Sequence, residues 1–421
     1  MEKLRHYSFI AEMDRILLEA RERVEEPLSI EGKPLEKLWF IDGSHAISER
    51  QGAFVSLFSV ASLGVISRKY LEGLPGREHL LTHLIIPKVN GESRAALLMS
   101  SLEIMEALRA SSMEMDAVIF DGSYLALLLS AYGSSSQLFS ETLRSISGEN
   151  VTLRSIVEDT DAGKIIDETV DTWIERIVKE RSMHGFYKSA YSIFTSIYDL
   201  AEKLHDKLAS NKFIENKLGK RFLIDYTLFF AETTLYLRVL GSFLKHVEEN
   251  DILPLWVAKE STSRFLSEIL DLKSWLSDTV LLDSLWSGKE KVFIILESRE
   301  NPKALRPVNP PSEPVASRET LSLVYRWNKF DIVYLKVSRH GPVLQASYPH
   351  DLASRERVES ALAALASLSD PKRGYPRPLS LVHHKTLIPG TLVEALAYKM
   401  WQSSQGVLRG LLQPLGRETV L

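Results

Sequence analysis

Cysteine is absent from this 421-residue chain. Disulfides, thiolate nucleophiles and cysteine-held zinc are therefore excluded. Glutamine is also scarce, and the two shortages together fit a chain that avoids thermolabile side chains. No uninterrupted apolar run reaches membrane length. The opening MEKLRHYSFIAEMDRILLEARERVEE is charged and helical in pattern, unlike a signal peptide, so the expected location is cytoplasmic. A basic excess is missing too: 51 Lys+Arg against 55 Asp+Glu leave a formal charge of −4. A passive nucleic-acid binder usually carries a clear basic excess. Contact with a polyanion would here need local basic patches, or metal ions offsetting carboxylates.

What is present describes an ordinary folded protein, 45% apolar and 25% charged, long enough for more than one structural unit. Met13, Ile16, Leu17 and Ala20 recur at helical spacing, which predicts a helix and arm over residues 1–36. Residues 37–43, 53–71, 83–89 and 116–122 read as strands, 53–71 supplying one or two. A helix over about 93–112, capped by Asn90 or Ser93, is expected between the last two. That order predicts the first part of an α/β core, 37–130, with mixed or parallel pairing. From 131 to 250 the pattern is long amphipathic helix, broken by one short strand candidate, 151-VTLRSIV-157, and is read as a helical insertion. The second part of the core, 251–421, opens with 254-PLWVAKES-261, two helical pieces and 290-EKVFIILES-298. A loop over 299–319 has five prolines between 302 and 314. Residues 321–327, 330–338 and 343–349 then read as an antiparallel meander, and helices are expected over 353–369 and roughly 379–402.

Two apolar segments end in the same tripeptide, 38-LWFIDGS-44 and 117-AVIFDGS-123. One such tripeptide is simply a good turn: Gly bends the chain and Ser caps the next element. Two of them, after strongly apolar strands, put Asp42 and Asp121 where ligands of α/β sheets tend to sit. Between them, Glu103 and Glu106 lie three apart on overlapping faces of the expected helix. Glu103 is flanked by apolar residues, and a carboxylate buried there needs a partner, for which a divalent cation would serve. Converging carboxylates suit Mg²⁺ or Mn²⁺, and an added histidine favours Mn²⁺. His383 and His384 are adjacent in 374-GYPRPLSLVHHKTLIPG-390, point about 100° apart in a helix, and cannot serve one site equally. Lys259 ends its strand either as a solvated lysine or as a phosphate contact.

These pieces, in this order, resemble the NurA nuclease family. The resemblance rests on a strand ending in Asp-Gly-Ser (Asp42) and a helix with Arg94 and the apolar-flanked Glu103. A second strand with the same ending (Asp121) and a lysine-ended strand (Lys259) come next. It closes on Y-P-x-P-L-x-x-x-H, matched by Tyr375, Pro376, Pro378, Leu379 and His383, with Val382 where the family usually has alanine. It runs from about residue 37 to 395. It implies an α/β fold with an RNase H-like mixed-sheet core, to which the helical insertion and the strand meander are added. It further implies a Mn²⁺-dependent nuclease, with Mg²⁺ an alternative, acting on single-stranded DNA and DNA ends, typically 5′→3′. It also implies a homodimer with two active sites along a central channel, working beside the hexameric HerA DNA translocase in archaeal double-strand-break end resection. Under this resemblance Asp42, Glu103 and Asp121 hold the metal, and His383 is a further ligand or a proton-transfer residue. Lys259 contacts a phosphate, and Tyr375 stacks on a base or orients a phosphate. Arg94, Arg373, Arg377 and Lys385 would supply positive surface. Two other classes compete: a non-catalytic DNA-binding or assembly subunit, which requires scattered carboxylates, and an RNase H-like nuclease of other specificity.

Overall fold

Ten strands join in one mixed sheet in the computed structural model, which describes residues 8–70, 76–133, 157–158, 160–210, 219–312 and 314–416. In chain order the strands are β1 (Leu28–Ser29), β2 (Lys37–Glu49), β3 (Phe54–Ile66), β4 (Lys69–Tyr70), β5 (Leu81–Ile85) and β6 (Ala117–Asp121). They continue with β7 (Leu253–Ala258), β8 (Val292–Leu296), β9 (Phe330–Lys336) and β10 (Leu344–Pro349). Their spatial order is β1-β8-β9-β10-β7-β6-β2-β3-β4, with β5 also paired to β3. Only the β2–β6 and β6–β7 pairs are parallel; every other pair is antiparallel. The central strands are near-continuous apolar runs because both faces of the sheet are covered.

The helices are α1 (Ser8–Arg23), α2 (Gly91–Ser111), α3 (Tyr124–Gly133), α4 (Ala162–Lys179), α5 (Met183–Ala209), α6 (Gly219–Glu249), α7 (Phe265–Ile269) and α8 (Asp278–Leu285). After them come α9 (Arg318–Tyr325), α10 (Arg355–Leu368), α11 (Arg377–Thr386), α12 (Gly390–Ser403) and α13 (Gly406–Leu411). One sheet face packs Trp39, Ile41, Phe120 and Trp256 against α2, α4, α5 and α6 in a single large core. The other buries Leu38, Phe40, Ile119 and Leu255 beneath Val358, Leu362 and Leu365 of α10 and Leu379 and Val382 of α11. Strands β6 and β7 are neighbours in the sheet although the long helices lie between them in sequence. No helix among the described residues is long and apolar enough to cross a membrane.

Three expectations are corrected. Residues 321–327 do not open the meander; they belong largely to α9, and the meander's first strand is β8. Leu321, Val324 and Tyr325 form a buried i, i+3, i+4 stripe, and the Ser317 hydroxyl accepts the Thr320 N–H to start the turn, so helical period outweighs local β preference. Asn90 precedes α2 in the left-handed region (φ 49°), and its side chain makes no cap hydrogen bond. The helix expected over 379–402 is two, α11 and α12, parted just before Pro389 and Gly390. Residues 151–156 of the short strand candidate lie outside the described residues.

Candidate metal centre

Three adjacent parallel strands build the site by register. The last β2–β6 pair is Ile41 with Phe120, so the next residues, Asp42 and Asp121, stand side by side. Asp121 is itself opposite Val257 of β7, which places Lys259 just past the end of the third strand. Alternation does the rest. Ile41 and Phe120 face the large core, so both aspartates turn to the opposite face, over which α11 lies.

The two Asp-Gly-Ser tripeptides are not equivalent, which corrects the expectation that both end strands. After Asp121 the chain does turn: Gly122 has φ 130° and α3 begins at Tyr124. At Asp42 it does not, because β2 runs on to Glu49 with Gly43 paired to Val60 and Ser44 to Ser59. Gly43 is needed instead for close approach. A Cβ there would lie 2.0 Å from Met99 Cε and 2.9 Å from both Cγ and Oε1 of Glu103. The missing side chain makes room for Glu103 of α2, whose carboxylate packs against Gly43 and feels the charge of both aspartates, although it is not among the ligand atoms that converge with them.

From α11, His383 Nδ1 meets Asp42 Oδ2 at 2.9 Å and lies 4.0 Å from Asp121 Oδ2. Ligand atoms of Asp42, Asp121 and His383 all fall within 4.8 Å of one another. Thr386, fully buried one turn further on, brings its hydroxyl 3.2 Å from the same Asp42 oxygen and 2.9 Å from the His383 carbonyl, so its one proton is shared between them. Sequence reasoning missed Thr386, although its i+3 spacing from His383 was the available signal. Tyr375 donates its hydroxyl to Asp121 Oδ2 at 3.1 Å, while Lys259 Nζ sits 4.4 Å from the centre of the Tyr375 ring. That ring is only 6% exposed, so it orients Asp121, and stacking on a base is corrected away.

The electrostatics are those of crowded carboxylates. Burial, then repulsion from Asp121, pushes Asp42 up to about 6, against the pull of His383. Glu103 is raised well above its ordinary value by burial and by both aspartates. Asp121 is raised by burial, offset by the Tyr375 hydroxyl, Lys259 and His383. A divalent cation would relieve all three, and carboxylate oxygens with one imidazole make a donor set that fits Mn²⁺.

The rival residues go elsewhere. Glu106 is fully buried and forms a forked pair with Arg109 at 2.7 Å, also accepting the Ser62 hydroxyl. His384 points away from the carboxylates into a neighbouring cleft. Arg94, expected on positive surface, is 4% exposed and clasps Glu232 of α6 at 2.5 and 2.7 Å. Lys385 is exposed and pairs with Glu78 at 3.2 Å.

Solved structures share this fold. The NurA nuclease from Sulfolobus solfataricus is 15% identical and superposes with a TM-score of 0.55 over 96% of this chain and 97% of that one. A NurA structure with manganese is 17% identical, with a TM-score of 0.58 over 95% and 99% of the two chains. One bound to dAMP and manganese is 16% identical, with a TM-score of 0.65 over 96% and 97%. No curated protein matches the chain. The NurA domain model matches residues 36–388, most of the length over which the sheet and its carboxylates are built, and the chain belongs to the NurA family.

Proposed function

We propose that the protein is a Mn²⁺-dependent DNA nuclease that hydrolyses phosphodiester bonds. The observation carrying this is the convergence of Asp42, Asp121 and His383 within 4.8 Å, with Glu103 entering beside Gly43. Such spacing favours a catalytic centre over a non-catalytic subunit with scattered carboxylates. Manganese in two related structures, one also holding dAMP, supports the ion and the nucleotide chemistry. Asp42, Glu103, Asp121 and His383 would hold the metal, whose chemistry when bound is to polarise the phosphate and lower the pKa of water. The residues of the chain do the remaining work. His383 and Thr386 both approach Oδ2 of Asp42, which holds that carboxylate in place beside Asp121. Tyr375 does the same for Asp121. Lys259, exposed beyond β7, is free to reach a phosphate and stabilise charge that develops there.

The finer reading comes from the family resemblance: single-stranded DNA and DNA ends as substrate, 5′→3′ exonuclease with some endonuclease activity, and a homodimer coupled to HerA-type translocation in end resection. The test is cleavage of end-labelled single-stranded DNA, duplex DNA and RNA under Mn²⁺. Asp42→Ala and Asp121→Ala should each abolish DNA hydrolysis while leaving the protein folded, and a chelator should remove wild-type activity until Mn²⁺ is restored. Near-normal cleavage by both variants would sink the proposal.

A further inference from the structure

Next to the carboxylates lies a solvent-open cleft of about 610 Å³. Lys259 and Tyr375 form part of its wall, and the Tyr375 hydroxyl bonds to Asp121 behind that wall, so the cleft adjoins the metal centre. Beyond them the wall carries the exposed Arg373 and Arg377 beside His384, with the carboxylates of Glu260 and Asp370 also on it. Among the described residues Arg373 enters no salt bridge, and Arg377 meets only Asp370, at 3.7 Å. The backbone N–H groups of Lys372 and Arg373 hold Asp370 Oδ1 at 2.9 and 3.0 Å, so Arg377 meets only Oδ2, with one of its five N–H donors. Both guanidinium groups therefore have hydrogen-bonding capacity left for an anion. The cleft also presents flat and apolar groups: Tyr70, 51% exposed, and Leu381, 48% exposed.

The arginine-bearing part of the wall is preformed. Gly374 N–H bonds to the Asp370 carbonyl at 2.7 Å, closing the turn that carries Arg373. Gly341 packs against that turn so tightly that a Cβ on it would lie 2.8 Å from Gly374 Cα and 2.9 Å from the Arg373 carbonyl oxygen. Cations aimed into a groove beside an exposed aromatic ring are what a single nucleic-acid strand requires, phosphates meeting charge and bases meeting flat apolar surface.

We propose that this cleft is the subsite for single-stranded DNA flanking the scissile bond, with Arg373 and Arg377 binding phosphates next to the one cleaved. The assignment rests on the nuclease reading of the adjacent centre. It is tested with a fluorescent oligothymidine, its binding measured by anisotropy in chelator over a range of salt concentrations. Arg373→Ala/Arg377→Ala should weaken binding and flatten the salt dependence by about 1.4 in log–log slope, from about 0.7 per lost phosphate contact on a single strand. Lys245→Ala, which alters an exposed lysine of α6 paired with Glu249, should change neither. Cleavage of bis(p-nitrophenyl) phosphate under Mn²⁺, a diester too small to reach the arginines, should remain at the wild-type rate in the double variant. Wild-type affinity and slope in the double variant overturn the proposal. So does an equal loss of small-diester cleavage, which would place the arginines in the chemical step. A wild-type protein that cleaves nothing under Mn²⁺ refutes the nuclease reading instead, and the binding arm in chelator separates the two failures.

Discussion

Asp42 holds its proton longer than an ordinary aspartate because it is buried beside Asp121. The sign of the consequence is definite. With its folded-state pKa raised from 3.8 to about 6, the folded protein binds this proton more tightly than the unfolded chain does. Asp42 therefore contributes stability that is fully present below about 4 and is lost as pH rises through about 6. Asp42→Asn removes the contribution and the repulsion together. Without metal, the variant should gain on wild type in urea denaturation midpoint across that window, and a difference independent of pH would refute the account. A bound divalent ion supplies the missing countercharge, so added Mn²⁺ should stabilise wild type more at neutral pH than at pH ~5, and Asp42→Asn much less at either.

Among elements, the contact of β2 with α2 decides whether Glu103 belongs to the site. Gly43 makes room for the helix carboxylate, and alanine there requires Met99 and Glu103 to move. Met99 Cε is the end of a flexible side chain and can turn aside. Glu103 Cγ and Oε1 must give way too, which displaces the carboxylate from its place against Gly43. Gly43→Ala should therefore stay folded, its cost within the 1–3 kcal/mol usual for overpacking, yet bind Mn²⁺ distinctly more weakly by calorimetric titration. Unchanged Mn²⁺ affinity would show that Glu103 is not part of the centre. This glycine also marks a limit of what the sequence makes legible. LWFIDGS and AVIFDGS read alike, and both do deliver a carboxylate to the centre. Yet one tripeptide runs through a strand and the other turns, because β3 continues alongside β2 to Glu49 whereas β6 stops at Asp121. Nothing within seven residues encodes the length of a partner strand. The same blindness turned 321-LSLVYRW-327 into a strand, since the helix surface that buries Leu321 and Val324 comes from distant sequence.

Across the whole molecule, the long helices are joined to one another by buried charge as well as apolar packing. Arg94 on α2 and Glu232 on α6 form a bidentate pair, 4% and 1% exposed. The same guanidinium donates to the carbonyls of Ile86 and Pro87 in the segment between β5 and α2. One arginine of α2 thus binds two other stretches of chain. In sequence Arg94 reads as a surface cation, because a helix pattern does not reveal which charged position meets a partner 138 residues away. The consequence is asymmetric. Removing one partner strands the other charge in the core, at a cost of about 3–5 kcal/mol, whereas replacing both with apolar residues of similar volume is often close to neutral. Arg94→Ala should therefore lower the urea denaturation midpoint sharply, and Arg94→Met/Glu232→Leu should recover much of it. At temperatures where all three proteins remain folded, oligothymidine affinity and its salt slope should be the same, because no phosphate reaches the buried guanidinium. A variant of wild-type stability that binds the strand poorly would return Arg94 to the DNA surface and leave the attachment of α6 to apolar packing alone.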